Sequence, residues 1–139
     1  LNLAAAQRLL RKLCQSCKEP ATLNPSEHKL LSDGVSKIAS DIVATLPKPP
    51  YKVFKAGKGC KECKGKAYQG RVAIFEALAM TDELERIILG NLSEEKLRGE
   101  AERQGMLTMY QDGMIKVLRG ITSLEELLQV AQEAETETV

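Results

Sequence analysis

The sequence has no tryptophan, two phenylalanines, three tyrosines and a single histidine. With so little aromatic volume, a core must be built from Leu, Ile, Val, Ala and Met, which suits packed helices better than a large β-sandwich. Long apolar runs are missing too, since none approaches the roughly 20 residues needed to span a bilayer. The N-terminal LNLAAAQRLLRKL lacks the charge-first order of a signal peptide, so a cytoplasmic location is expected. There is no initiator methionine or polar lead-in, and an apolar opening of this kind reads as a piece of a longer protein. What remains is an ordinary globular composition: 139 residues, 43% hydrophobic and 28% charged, enough for one domain with a core.

The net charge of +1 conceals a gradient. From Lys48 to Arg71 there are eight basic residues against Glu62 alone, whereas Ser123 to Val139 carries Glu125, Glu126, Glu133, Glu135 and Glu137 with no base. Along the chain, Leu3 to Leu13 is ambiguous. Leu3, Ala6, Leu10 and Leu13 lie on a helical stripe, Leu3, Ala5, Leu9 and Leu13 share strand parity, and residue propensity favours helix. Asn24-Pro25 is a helix start, and Leu31, Val35, Ile38, Ile42 and Leu46 predict one amphipathic helix that stops before Pro47. Tyr51 to Phe54 alternates as a short strand, and Arg71 to Met80 carries the β-formers Val72, Ile74 and Phe75. A helix capped by Thr81 and closed by Gly90 follows, and then three more. Ser93 caps the first, which ends at Gly105; the second runs from about Met106 to Gly120; a capping box at Thr122-Ser-Leu-Glu125 opens the third.

The four cysteines form two CxxC pairs, Cys14/Cys17 and Cys60/Cys63. Two intervening residues let both thiolates of a tight turn face one ion, and two such turns supply the tetrahedral sulfur set that zinc accepts. Cys60-Lys-Glu-Cys63-Lys-Gly65 has the shape of a zinc knuckle, with Gly65 free to take a left-handed backbone that aims amides at sulfur. Disulfides do not suit a reducing cytosol, a redox pair needs one CxxC rather than two, and iron-sulfur centres usually space their thiols differently. A structural zinc is therefore expected, with no open position for catalysis. Four thiolates on Zn(II) leave a charge of about −2, which Lys12, Lys18, Lys58, Lys61, Lys64 and Lys66 are placed in sequence to offset.

Other residues read blandly. His28 lies on a polar flank and is expected at the surface. GCKECKGKA superficially resembles a phosphate loop, but five residues separate its glycines and Ala67 stands where a magnesium-binding Ser or Thr is needed. The basic run, interspersed with Tyr51, Phe54 and Tyr68, is read as a solvated face beside the metal site; nucleic acid or acidic lipid is its alternative partner. Met106, Met109 and Met114 read as helix packing.

Three blocks, AQRLLRKLCQSCK, GKGCKECKGKAYQGRVAIFEAL and QGMLTMYQDGMIKVLRGITSLEELLQV, together resemble the C-terminal part of the hexameric motor ATPases of type II secretion and type IV pilus assembly. The resemblance implies that the first block is the last strand of a RecA-like ATPase core, overruling the helical propensity. It implies a tetracysteine metal-binding subdomain, with the family's GYxGR appearing here as Ala67-Tyr68-Gln69-Gly70-Arg71. The last block matches a C-terminal extension that packs beside the core and takes part in ring contacts. The family's Walker A and Walker B elements have no counterpart here, so ATP and magnesium belong to the parent protein, and the chain alone is expected to be inactive.

The resulting expectation is an α+β fold, mostly helical, with short strands around a zinc-binding subdomain and a helical extension. Its parts are residues 1–13 as terminal core strand, 14–80 as zinc subdomain with an inserted helix, and 81–139 as extension. No residue is expected to be catalytic or to bind nucleotide. The implied partners are other subunits of a homo-hexameric ring and an inner-membrane platform protein, with no nucleic acid. A zinc-ribbon nucleic-acid module is the alternative.

Overall fold

The computed structural model describes the backbone of residues 3–137 and the side-chain surroundings of residues 5–131. Its frame is a long antiparallel hairpin of β1 (Leu3–Leu13) and β4 (Tyr68–Ala79), paired from Leu3 opposite Ala79 to Leu13 opposite Tyr68. A second small sheet pairs β2 (Glu19–Ala21) with β3 (Val53–Lys55). Between them lie α1 (Pro25–Ser36) and α2 (Ser40–Val43), and after β4 come α3 (Asp82–Leu89), α4 (Glu94–Arg103), α5 (Met109–Leu118) and α6 (Leu124–Glu137). The architecture is α+β, as expected, with six helices among the described residues, but β1 and β4 are 11 and 12 residues long rather than short.

The helical propensity of Leu3 to Leu13 is overturned. Pairing along nearly its whole length with the β-branched and aromatic residues of β4 outweighs a preference of at most a few tenths of a kcal/mol per residue. A register shift between Arg11 and Leu13 puts both Leu10 and Leu13 inside, at 0% and 1% exposure. Two inward residues three apart in a strand require such a bulge, and they produce the false helical stripe.

The single helix expected from Pro25 to Leu46 is instead two. Asn24 caps α1 in a full capping box with Glu27, and Pro25 stands at the first turn as anticipated. The helix then stops at Lys37, and α2 restarts at Ser40. The break re-aims the chain so that Leu31, Val35, Ile38 and Leu46 all reach one core, joined there by Leu10, Ile74, Met114, Val117, Leu124 and Leu127. That core draws on β1, the inter-cysteine segment and the C-terminal helices alike.

Thr81 and Ser93 cap α3 and α4 as expected. The helix α5 starts at Met109, later than Met106, because Thr108 and Gln111 form its capping box. The capping box expected at Thr122 and Glu125 shifts by one residue. Ser123 Oγ accepts from Glu126 N at 3.1 Å, while Thr122 Oγ1 donates to the Arg11 carbonyl at 2.8 Å. Glu126 thereby faces β1 and forms a fork with Arg11, whose Nη2 lies 2.9 Å from Oε2 and whose backbone N–H donates to Oε1 at 3.1 Å. No helix among the described residues is long and apolar enough to cross a membrane.

Candidate metal centre

The hairpin positions the cysteines. Cys14 follows β1 directly and Cys63 lies just before β4, so the closing ends of two paired strands bring the CxxC turns together. The Cys14 N–H donates to the Ala67 carbonyl at 3.0 Å, extending the hairpin into the site. Leu13 N–H donates to the Ile121 carbonyl at 2.9 Å, which fixes this end of β1 to the α5–α6 turn. The four sulfurs lie within 4.8 Å of one another. Cys14 and Cys60 Sγ are 3.7 Å apart, Cys17 and Cys63 3.8 Å, and Cys60 and Cys63 3.8 Å. A zinc–sulfur bond of about 2.3 Å in a tetrahedron requires sulfur edges of about 3.8 Å. These three separations match such edges, and they are far longer than a disulfide bond of about 2.05 Å. All four thiols are free.

The second turn is a knuckle in the strict geometric sense. Cys60 N–H and Ala67 N–H both donate to Cys63 Sγ at 3.2 Å. Gly65 takes the left-handed backbone expected of it, with φ +78°, but so do Lys64 and Ala67 at +56° and +65°. Non-glycine residues rarely adopt that region, and here it points amides at sulfur. Gly57 packs so closely beneath the first turn that a Cβ there would lie 1.9 Å from the Cys17 carbonyl oxygen.

The amide donors decide the protonation pattern. The Cys60 N–H, helped by that of Ala67, holds the buried Cys63 thiol down at about 6. Burial, with hydrogen bonds from the neighbouring thiols, pushes Cys17 up to about 12. A cation must displace the protons of the thiols it binds, which makes metal affinity rise with pH. Of the lysines placed around the pairs, Lys18 is diverted: its Nζ bonds Gln15 and the Gly120 carbonyl and lies 4.2 Å over the Phe54 ring. Lys12, Lys58, Lys61, Lys64 and Lys66 are exposed. His28 is at the surface, 6.0 Å from the Tyr51 ring.

Ala67, Gly57 and Leu13 escaped the sequence reading as supporting residues. Only Gly57 carried any signal, as one glycine in a glycine-rich loop; an amide aimed by an alanine at positive φ leaves none.

Fold and cluster define a tetracysteine α+β protein with its sulfurs at metal-coordinating distances. Residues 1–129 match the family model for type II/IV secretion system proteins. The chain is 36% identical over 132 residues to the type IV pilus assembly ATPase PilB of Myxococcus xanthus, covering 92% of this chain and 21% of the relative. It is likewise 36% identical over 128 residues to type II secretion system protein E of Pseudomonas aeruginosa, covering 92% of this chain and 23% of that protein. The PilB of Acinetobacter baylyi is 34% identical over 133 residues, 96% of this chain and 21% of its own length. The chain belongs to the type II/IV secretion system protein family. It spans about a fifth of the length of these relatives.

Proposed function

We propose that this chain is the zinc-binding C-terminal region of a hexameric motor ATPase that powers pilin or pseudopilin assembly from the cytoplasmic face of the inner membrane. The observation that carries the metal reading is the sulfur set, three of whose separations, at 3.7–3.8 Å, match the edges of a tetrahedron of zinc thiolates. Cys14, Cys17, Cys60 and Cys63 would hold the ion, with all positions filled and none left for water or substrate. The ion's contribution is cohesion: it ties the closing end of the β1–β4 hairpin, which otherwise buries too little apolar surface to hold its turns.

The edges of that hairpin support residues 1–13 as the terminal strand of a larger ATPase core. On β4 the outward Phe75 N–H donates to Asp112 Oδ2 at 2.9 Å, and Gln104 pairs with both the N–H and the C=O of Ala79. Those two positions of the edge are engaged by Asp112 of α5 and by Gln104, the C-cap of α4. On β1 Arg11 is closed by Glu126 and Thr122, but Ala5, Gln7 and Leu9 have no backbone partner along this edge among the described residues. On the adjoining sheet face Leu9 and Phe75 are 46% and 51% exposed. A strand of the parent polypeptide would satisfy that edge and cover that face. In this reading residues 14–80 form the zinc subdomain, residues 81–139 pack beside it as the extension, and the ring subunits and an inner-membrane platform protein are the partners.

The test is metal stoichiometry. Elemental analysis should find about one zinc per chain, and Cys60→Ser should release it. A chain purified under reducing conditions that holds no zinc at neutral pH, even after zinc is supplied, overturns the metal reading.

A further inference from the structure

Two surface features stand at opposite ends of the β1–β4 hairpin. At the end where β4 leads into α3, Ile88, Leu89 and Leu92 are 44%, 78% and 53% exposed. Three large aliphatic side chains this close in sequence stand exposed at the α3–α4 tip. The α3–α4 hairpin packs chiefly on itself, tied to β4 by Gln104. Glu85 and Glu95 flank the apolar residues, both exposed and without an ion pair among the described residues. At the other end Lys58, Lys61, Lys64 and Lys66 project from the knuckle, exposed and equally unpaired among the described residues.

The two features cannot meet within one chain. The 12 residues of β4 separate them, which at about 3.3 Å per residue is about 36 Å. They can meet between two chains, and different patches of opposite character on one molecule define a heterologous, head-to-tail contact. Lysine suits this occupant because its methylene stem covers aliphatic surface while its ammonium reaches past it to a carboxylate. We propose that the α3–α4 tip, with Ile88, Leu89 and Leu92 at its centre and Glu85 and Glu95 at its rim, docks the lysine-rich knuckle of a second copy. The inference deepens the subunit-contact reading above by naming the surfaces, and it rests on that reading.

The experiment is sedimentation equilibrium of the zinc-loaded chain at low and high salt, with charge-reversed variants. The wild-type chain should self-associate, more weakly at about 0.3 M salt than at about 0.05 M as screening grows. Lys61→Glu/Lys64→Glu and Glu85→Lys/Glu95→Lys should each weaken association about tenfold or more, since like charges then face one another. All four changes in one chain should restore it to within a few-fold, and mixing the two double variants should give heterodimers. Zinc is measured throughout; if the first variant loses it, Lys58→Glu/Lys66→Glu takes its place.

Association that ignores both reversals refutes this contact and leaves the family role standing. A wild-type chain that loads zinc but stays monomeric at about 1 mM also refutes it. So does binding to anionic vesicles or DNA that is lost in the lysine variant while the glutamate variant behaves as wild type. A chain that takes up no zinc fails one level lower, in the metal reading itself.

Discussion

Removing the metal should melt the knuckle and leave the helical core folded. The eleven residues from Gly57 to Ala67 contribute no side chain to the main hydrophobic cluster. Their backbone hydrogen bonds are Lys64 N–H to Lys61, Gly65 N–H to Cys60, Lys66 N–H to Cys63, and the Cys14 N–H to Ala67. At about 1 kcal/mol net each, these supply about 4 kcal/mol. Ordering eleven backbones costs about 11–22 kcal/mol, so the segment cannot hold its shape on hydrogen bonds alone. A structural zinc held there would contribute about 10–16 kcal/mol, which would close the difference. The core of Leu31, Met114, Val117 and Leu127 lies outside this balance. Hydrogen exchange followed by mass spectrometry, with and without a strong chelator, reads the two regions separately. Amides of Cys60, Gly65 and Ala67 should lose protection on chelation, while those of α5 and α6 keep most of theirs. Equal knuckle protection in zinc-loaded and zinc-free protein would refute the reasoning, as would global unfolding on chelation.

Two further outcomes concern the charged groups. Burial pushes the Glu126 carboxyl up, but the Arg11 hydrogen bonds outweigh it and leave the group lowered; the Arg103 guanidinium, with Gln104 and Thr81, holds Glu100 down at about 2 against an ordinary 4.5. Carboxyls lowered on folding contribute stability that is complete above about 4.5 and is lost as pH falls toward 2, so thermal melts should weaken steeply across that window. Glu126→Gln should flatten part of this acid dependence and cost about 1–2 kcal/mol at neutral pH, the low end of charged hydrogen bonds because Arg11 remains half exposed. Binding to duplex or single-stranded DNA should be feeble, because the acidic C-terminal segment opposes a long polyanion. Micromolar, steeply salt-dependent binding lost on Lys61→Ala/Lys64→Ala would favour the nucleic-acid reading of the knuckle instead.

The sequence by itself determined what depends on local chemistry. CxxC spacing marked Cys14, Cys17, Cys60 and Cys63 as one sulfur set, and a thiolate turn needs only its neighbours to be recognised. Helix starts at Asn24, Thr81 and Ser93 were legible because a cap bonds an amide two or three residues away. The blocks shared with motor ATPases located the family for the same reason: they are strings of residues. Tertiary structure alone decided the rest. Leu3 to Leu13 became a strand because β4, more than fifty residues later, offers it a full ladder, and its bulge at Arg11 disguised strand parity as a helical stripe. The helix after Pro25 broke at Lys37 because four apolar side chains had to reach one core from a single linker. Glu126, marked in sequence only as part of an acidic tail, became the buried partner of Arg11, 115 residues away. Ala67 aims its amide at Cys63 only because the end of the hairpin holds it at positive φ. Long-range pairing and backbone conformation imposed from outside a segment leave no mark in that segment's own residues, and these are what the tertiary structure settled.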